Sequence, residues 1–258
     1  MLSEDQIEQF IQLGYIKLEQ VFSKELAKEG RDILWKDTNC DPDNPATWTK
    51  PVIRLGEYAQ EPFRQAVNMP VLREAFDQLA GAGRWLPRYS LGTFPVRFPN
   101  DADPGDTGWH AEASFYGDDG SMRLNVHSQG RALLMLFLFS DIGINDAPTR
   151  ILEGSHLDVP PLLLPHGEKG LTFIELAQKL SPSTLQRSTV YATGEAGTVF
   201  LCHPFLIHAA QPHRGQNPRF MAQPPLLPAT PVRIFPEDGN ATPVAKAIHM
   251  GLKVSNDT

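Results

Sequence analysis

Ala132-Leu133-Leu134-Met135-Leu136-Phe137-Leu138-Phe139 decides the fold class, because these consecutive apolar residues show no polar alternation. Such a run reads as a strand covered on both faces, the inner one against a functional site and the outer one against helices. Around it, between Trp85 and Met221, short β-prone stretches are separated by Gly, Pro, Asp and Asn. They fall at residues 93–98, 107–115, 124–127, 132–139, 149–152, 198–202, 205–209 and 219–221. Many short strands in one unit imply a sandwich or barrel.

The N-terminal part has a different character. Ser3 with Gln6 is a capping-box pattern, and Ile7, Phe10 and Ile11 recur at helical spacing, so residues 4–13 are expected to form an amphipathic helix ended by Gly14. Residues 15–18 read as a short strand, and Ser23 caps a second helix to about Lys36. Residues 37–50 read as a loop and 71–79 as helical. Later, residues 173–180 read as a helical insertion. The tail after Pro224, rich in Pro and Gly, is expected to wrap the surface, with a short helix at 244–250. The division is a helical part at 1–83, a β core at about 84–223 and a tail at 224–258.

Composition narrows the setting. A chain of 258 residues fits one domain with a substantial core. Its net charge of −7 and dispersed Lys and Arg argue against nucleic acid or an anionic membrane as partner, leaving a small molecule as the expected substrate. The two cysteines, Cys40 and Cys202, are too few for a disulfide framework, which points to a reducing cytoplasm. The opening Ser3-Glu4-Asp5 lacks a basic and then apolar leader, and the 132–139 run is far short of a bilayer span, so neither export nor anchoring is expected. Nothing in the sequence fixes an oligomeric state.

The chemistry begins at Trp109-His110-Ala111-Glu112. On an extended strand, residues two apart leave the same face, so His110 and Glu112 supply two metal ligands and a distant histidine completes a 2-His-1-carboxylate triad. With 8 His and 30 acidic residues, chance gives about one His-x-acid match, so the motif alone is weak. His166-Gly167-Glu168 lies in a turn-like Pro and Gly context, and His156-Leu157-Asp158 follows the loop signal Glu153-Gly154-Ser155, so His110 and Glu112 are preferred. For the second histidine, Pro204 interrupts the segment after His203, whereas His208 precedes the small pair Ala209-Ala210 and a loop returning to Arg219. Arg219 is then placed to enter the same cavity. Core packing is the competing explanation for His208, and solvation for Arg219.

These pieces in this order resemble the phytanoyl-CoA dioxygenase family of Fe(II)/2-oxoglutarate oxygenases. The resemblance rests on the His110 and Glu112 stretch, on residues 148–156, on the His208 to Arg219 segment and on the opening helix and strand, and it extends to about Pro225. It implies a mainly β fold with α elements: a double-stranded β-helix, that is a cupin-like jelly roll, with N-terminal helices packed outside. It makes His110, Glu112 and His208 the iron ligands, makes Arg219 the partner of the distal carboxylate of 2-oxoglutarate, and brings Thr149 and Leu136 to the cosubstrate. Gly154-Ser155-His156 becomes a structural turn. Dioxygen completes the set, with oxidative decarboxylation to succinate and CO2 and hydroxylation of a small organic substrate. A carboxylate at 112 predicts hydroxylation over halogenation, because related halogenases carry a small residue there.

Two departures stand out. The family usually has Asp where this chain has Glu112, and relatives commonly show Ser at the place of Ala210 and Asn at that of His213. For the substrate, Arg97, Phe115 and Tyr116 are candidate pocket residues, with packing or a surface ion pair as the competing explanation. Two other classes remain open: a jelly-roll protein that binds a small ligand without catalysis, and a cupin-like metalloenzyme that does not use 2-oxoglutarate. Neither needs a cation deep beside His208.

Overall fold

The computed structural model describes residues 1–236 and 239–254. Helix α1, Glu4–Leu13, starts with the reciprocal box expected: the Ser3 hydroxyl accepts from the Gln6 amide, and the Gln6 side chain accepts from the Ser3 amide. It stops at Gly14, whose φ of +85° is the left-handed conformation a helix cap needs. Ser23 caps α2, Lys24–Thr38. The remaining helices are α3 (Glu61–Val67), α4 (Pro70–Phe76), α5 (Val159–Leu163), α6 (Phe173–Lys179), α7 (Pro182–Leu185) and α8 (Pro243–Val254).

The strands are β1 (Tyr15–Leu18), β2 (Val52–Leu55), β3 (Phe94–Arg97), β4 (Phe115–Tyr116), β5 (Met122–Leu124), β6 (Leu133–Leu138), β7 (Arg150–Leu152), β8 (Leu171–Thr172), β9 (Thr189–Tyr191), β10 (Val199–Cys202), β11 (His208–Ala209), β12 (Met221–Ala222) and β13 (Pro225–Leu226). They form a mixed α/β fold of antiparallel sheets. The largest sheet runs β1-β10-β6-β12, with β13 also on β6; the others are β11-β7-β9, β2-β3 and β4-β5-β8.

Strand β6 explains why its sequence does not alternate. Leu133, Met135 and Phe137 pack into a cluster with Phe10, Leu34 and Phe63 from the helices and Phe22 from the turn before α2. Leu134, Leu136 and Leu138 face the other way, into a cluster with Ile151 of β7, Phe200 and Cys202 of β10, and Met221 of β12. Both faces are therefore buried, each large side chain contributing roughly 1.5–3 kcal/mol. Helix α2 comes close to this sheet because Gly30 has no Cβ; one built there would stand 2.7 Å from the Phe139 ring.

Several expected boundaries shift. Residues 107–115 do not form a strand: only His110 makes a bridge, and β4 begins at Phe115. The strand expected at 124–127 lies earlier, as β5, and those at 205–209 and 219–221 shrink to β11 and β12. Helix α3 was not anticipated. The tail does more than wrap the surface, since α8 buries Val244, Ala245, Ala247 and Ile248 against α1 and α5. Among the described residues no helix is long and apolar enough to cross a membrane.

Candidate metal and cosubstrate site

His208 sits on β11 directly opposite Ile151 of β7, so it points inward with that residue. Its backbone makes a two-way bridge with His110: His110 N–H donates to His208 O at 3.0 Å and His208 N–H to His110 O at 2.9 Å. Two histidines almost a hundred residues apart are thereby locked side by side, ring centroids 4.6 Å apart. Each Nδ1 lies 2.9 Å from the carbonyl two residues upstream, Gly108 for His110 and Leu206 for His208. As donors there, both rings leave Nε2 with its lone pair free.

Both free nitrogens face one oxygen. Glu112 Oε1 is 3.7 Å from His110 Nε2 and 3.6 Å from His208 Nε2, and one ligand atom from each residue lies within 4.8 Å of the others. These separations are too long for hydrogen bonds. They suit donor atoms that each sit about 2 Å from a common ion. His208 is buried while His110 and Glu112 are partly exposed, so the cluster is reachable from outside. Burial opposes the charge on Glu112, but the two facing imidazoles and Arg131 outweigh it and hold the carboxyl well below its usual range. Burial also opposes protonation of His110, yet Glu112 and the Gly108 carbonyl raise its pKa on balance. A carboxylate ionised at neutral pH between two orientated imidazoles fits a divalent cation.

Among the described residues, buried polar atoms without a hydrogen-bond partner include the Nε of Arg97, Arg131, Arg150 and Arg219, Thr149 Oγ1 and Asp106 Oδ1. Arg219 shares the inward face of Met221 two residues on. It is almost wholly buried, donating from Nη1 to Ala147 O at 2.6 Å and from Nη2 to Pro95 O at 3.1 Å, with no carboxylate of its own. Burial pushes its pKa well down, and neighbouring Arg97 adds to the shift. Thr149 lies two residues before inward-facing Ile151, and Leu136 is in the same inner cluster. A buried cation, an unpaired hydroxyl and an apolar wall match the needs of a small dicarboxylate.

Other sequence candidates separate clearly. Arg97 is buried and donates to Asp106 Oδ2 at 2.6 Å. Phe115 and Tyr116 line a surface hollow with Arg123 and Gln129, and Tyr116 is 75% exposed. His203 is buried away from the triad, its Nε2 on Val244 O at 3.2 Å and its ring 4.8 Å from His156. In the rival motif, His156 Nε2 meets Ile11 O at 2.9 Å while Asp158 binds Arg187, so those side chains do not converge. Asp106, Arg131 and Arg150 escaped sequence reading. Asp106 lies in a polar loop and Arg150 stacks 4.6 Å over the Trp109 ring. Arg131 follows Gly130; its only sequence signal is that it leads straight into the apolar run.

The fold and this triad define a class, the Fe(II)/2-oxoglutarate-dependent oxygenases. The chain belongs to the phytanoyl-CoA dioxygenase family, whose model matches residues 10–221. Among solved structures it is similar to the non-haem alpha-ketoglutarate-dependent carbocyclase SnoK of nogalamycin biosynthesis, at 17% identity over 90% of this chain and 85% of that one, TM-score 0.57. It is also similar to HygX of Streptomyces hygroscopicus, solved with nickel, 2-oxoglutarate and hygromycin B, at 18% identity over 86% of each chain, TM-score 0.54. The epimerase SnoN, solved with Fe3+, alpha-ketoglutarate and nogalamycin RO, has 15% identity over 85% of this chain and 81% of that one, TM-score 0.56. At such identities the likeness establishes the shared fold. No curated protein sequence matches the chain significantly.

Proposed function

We propose that the chain hydroxylates a small organic molecule, with His110, Glu112 and His208 holding Fe(II) and Arg219 anchoring the distal carboxylate of 2-oxoglutarate. The observation that carries this reading is the convergence of two free Nε2 atoms on Glu112 Oε1, with both Nδ1 atoms already committed to backbone carbonyls. When bound, Fe(II) with 2-oxoglutarate and dioxygen supplies the oxidising power, and succinate and CO2 are the coproducts. The protein's share is to bind, orient and exclude water. Arg219 supplies the fixed charge an anion needs in an apolar interior, Thr149 offers its free hydroxyl, and Leu136 closes the wall.

Hydroxylation over halogenation is favoured by the carboxylate at position 112, which fills the place a halide requires. The double-stranded β-helix is the architecture we read here, supported by an inner cluster that draws side chains from two facing antiparallel sheets. We read the whole as a single domain, the helical part at 1–83 and the described parts of the tail, 224–236 and 239–254, packing on the core. A reducing compartment is supported by two free cysteines, Cys40 and Cys202.

The test is spectroscopic. Anaerobic addition of Fe(II) and 2-oxoglutarate to the purified protein is expected to give a weak visible charge-transfer band, followed in air by slow, uncoupled succinate release. Absence of both would make the protein a binding module. A substrate screen read by succinate yield then addresses the substrate.

A further inference from the structure

The two oxygens of Glu112 face different partners. Oε1 looks at the imidazoles, while Oε2 is 3.9 Å from Arg131 Nη2. Arg131 is itself buried and fixed: Nη2 also donates to Ala113 O at 3.3 Å, its backbone N–H donates to Ser128 O, and its carbonyl accepts from the Ser128 hydroxyl at 2.6 Å. It enters directly from the loop before β6, so a strand buried along its whole length holds it in place.

This arrangement bears on the departure from the family pattern. A glutamate has one more rotatable bond than an aspartate, and residues 111–114 lie outside any strand, so the local backbone does not fix its carboxylate. A free carboxylate of that reach can offer both oxygens to one cation. Doing so would leave two positions where a chelating 2-oxoacid and dioxygen together need three, and would set a second anionic oxygen against the incoming carboxylate. An ion pair on Oε2 removes that freedom.

We propose that Arg131 is a positioning residue: it draws Oε2 of Glu112 aside so that only Oε1 is offered as a ligand, which keeps a third position open beside the two that 2-oxoglutarate would fill and spares the cosubstrate an extra anionic neighbour. The proposal rests on the functional reading above. It assigns Arg131 no contact with the cosubstrate. Because Arg131 is a cation near a cation site, its removal should leave metal affinity unchanged or slightly higher while cosubstrate affinity falls. A residue needed only for the scaffold would lower both.

The experiment uses Co(II) as a spectroscopic stand-in for iron, with R131Q, R131K, E112D and R131Q/E112D compared with the unmodified protein. In R131Q, Co(II) binding is expected to hold within about threefold, 2-oxoglutarate affinity to fall by at least about tenfold, and the visible Co(II) bands to shift toward higher coordination. R131K, which keeps a cation facing Oε2, is expected to restore much of the affinity. In the E112D background the shorter carboxylate needs no restraint, so adding R131Q is expected to change 2-oxoglutarate binding little. Unchanged cosubstrate affinity and bands in R131Q, or an equal loss in both backgrounds, would overturn the proposal. R131M is the second neutral variant; if neither it nor R131Q folds with Co(II) bound, Arg131 belongs to the scaffold and the proposal fails. Failure of the unmodified protein to bind Co(II) or 2-oxoglutarate would instead sink the functional reading.

Discussion

Arg97 and Arg219 face each other across an antiparallel bridge, amide to carbonyl in both directions, at 3.1 and 2.8 Å. Residues paired in this way send their side chains to the same side, so two nearly buried guanidinium groups lie next to each other. Asp106 meets Arg97 and is shared with exposed Arg54, leaving Arg219 with carbonyl partners only. The interior is thus one anion short, and on the proposed function a dicarboxylate would supply it. Arg219→Ala is therefore expected to lower 2-oxoglutarate affinity on the order of 100-fold while Co(II) affinity stays within about threefold, measured by titration. Parallel loss of metal and cosubstrate would mean that Arg219 supports the fold instead.

The same pairing makes Asp106 a stabilising residue. Asp106→Asn leaves Arg97 and Arg219 uncompensated; since the carboxylate is partly exposed, the cost should be modest, roughly 1–3 kcal/mol. An anion binding beside those cations recovers part of that cost. Added 2-oxoglutarate is expected to raise the thermal midpoint of the metal-loaded D106N protein by more than it raises the unmodified one. Equal shifts would show that Asp106 and the cosubstrate do not share a charge environment.

Much of this was legible in the sequence wherever the deciding interactions are local. Ser3, Ser23 and Gly14 mark helix ends through caps made within a few residues, and the 132–139 run announces its own two-sided burial. Helix α3 was missed although its signals are local: Pro62 sits in its first turn, and Phe63, Ala66 and Val67 recur at helical spacing. The grouping of His110 with Glu112 was right for a different reason than the one that suggested it. No ladder runs through residues 111–114, and Glu112 is turned by His208 and Arg131, both distant in sequence. Asp106 and Arg131 were missed on the same ground. A charged residue in a loop looks solvated until the partner that buries it is known.

Gly14 couples the first helix to the strand that leads to His208. It adopts φ +85°, and its carbonyl accepts from the His203 amide at 2.7 Å. A Cβ there would stand 2.5 Å from His156 Nδ1 and 2.7 Å from Leu206 Cδ1. Gly14→Ala thus adds left-handed strain to overpacking, for a cost of roughly 2–4 kcal/mol. Urea unfolding should show the midpoint drop. A midpoint within error of the unmodified protein would mean that the α1 junction relaxes freely.

His156 and His203 give stability a pH dependence. Their rings pack 4.8 Å apart in the core, and each places Nε2 on a backbone carbonyl, Ile11 for His156 and Val244 for His203. Burial pushes the His156 pKa down to about 4, Arg187 opposing its protonation further while the Ile11 carbonyl and Asp158 favour it. Burial lowers His203 well below its usual range as well, and His156 adds to that. A depressed histidine pKa means that the unfolded chain binds the proton first, so stability is complete above about 6.5 and falls as pH drops toward 4. Between pH 7 and 5, above most carboxylate titration, His156 alone should remove ~2 kcal/mol. His110 acts with the opposite sign, since its raised pKa contributes stability that is lost as pH rises. With two fully buried rings against one partly exposed ring, the metal-free protein is expected to unfold at lower temperature and lower urea at pH 5 than at pH 7. His156→Gln, which retains a donor toward Ile11, should flatten that slope. If the unmodified protein unfolds at the same midpoint at both pH values, the two histidines are not held neutral in the core.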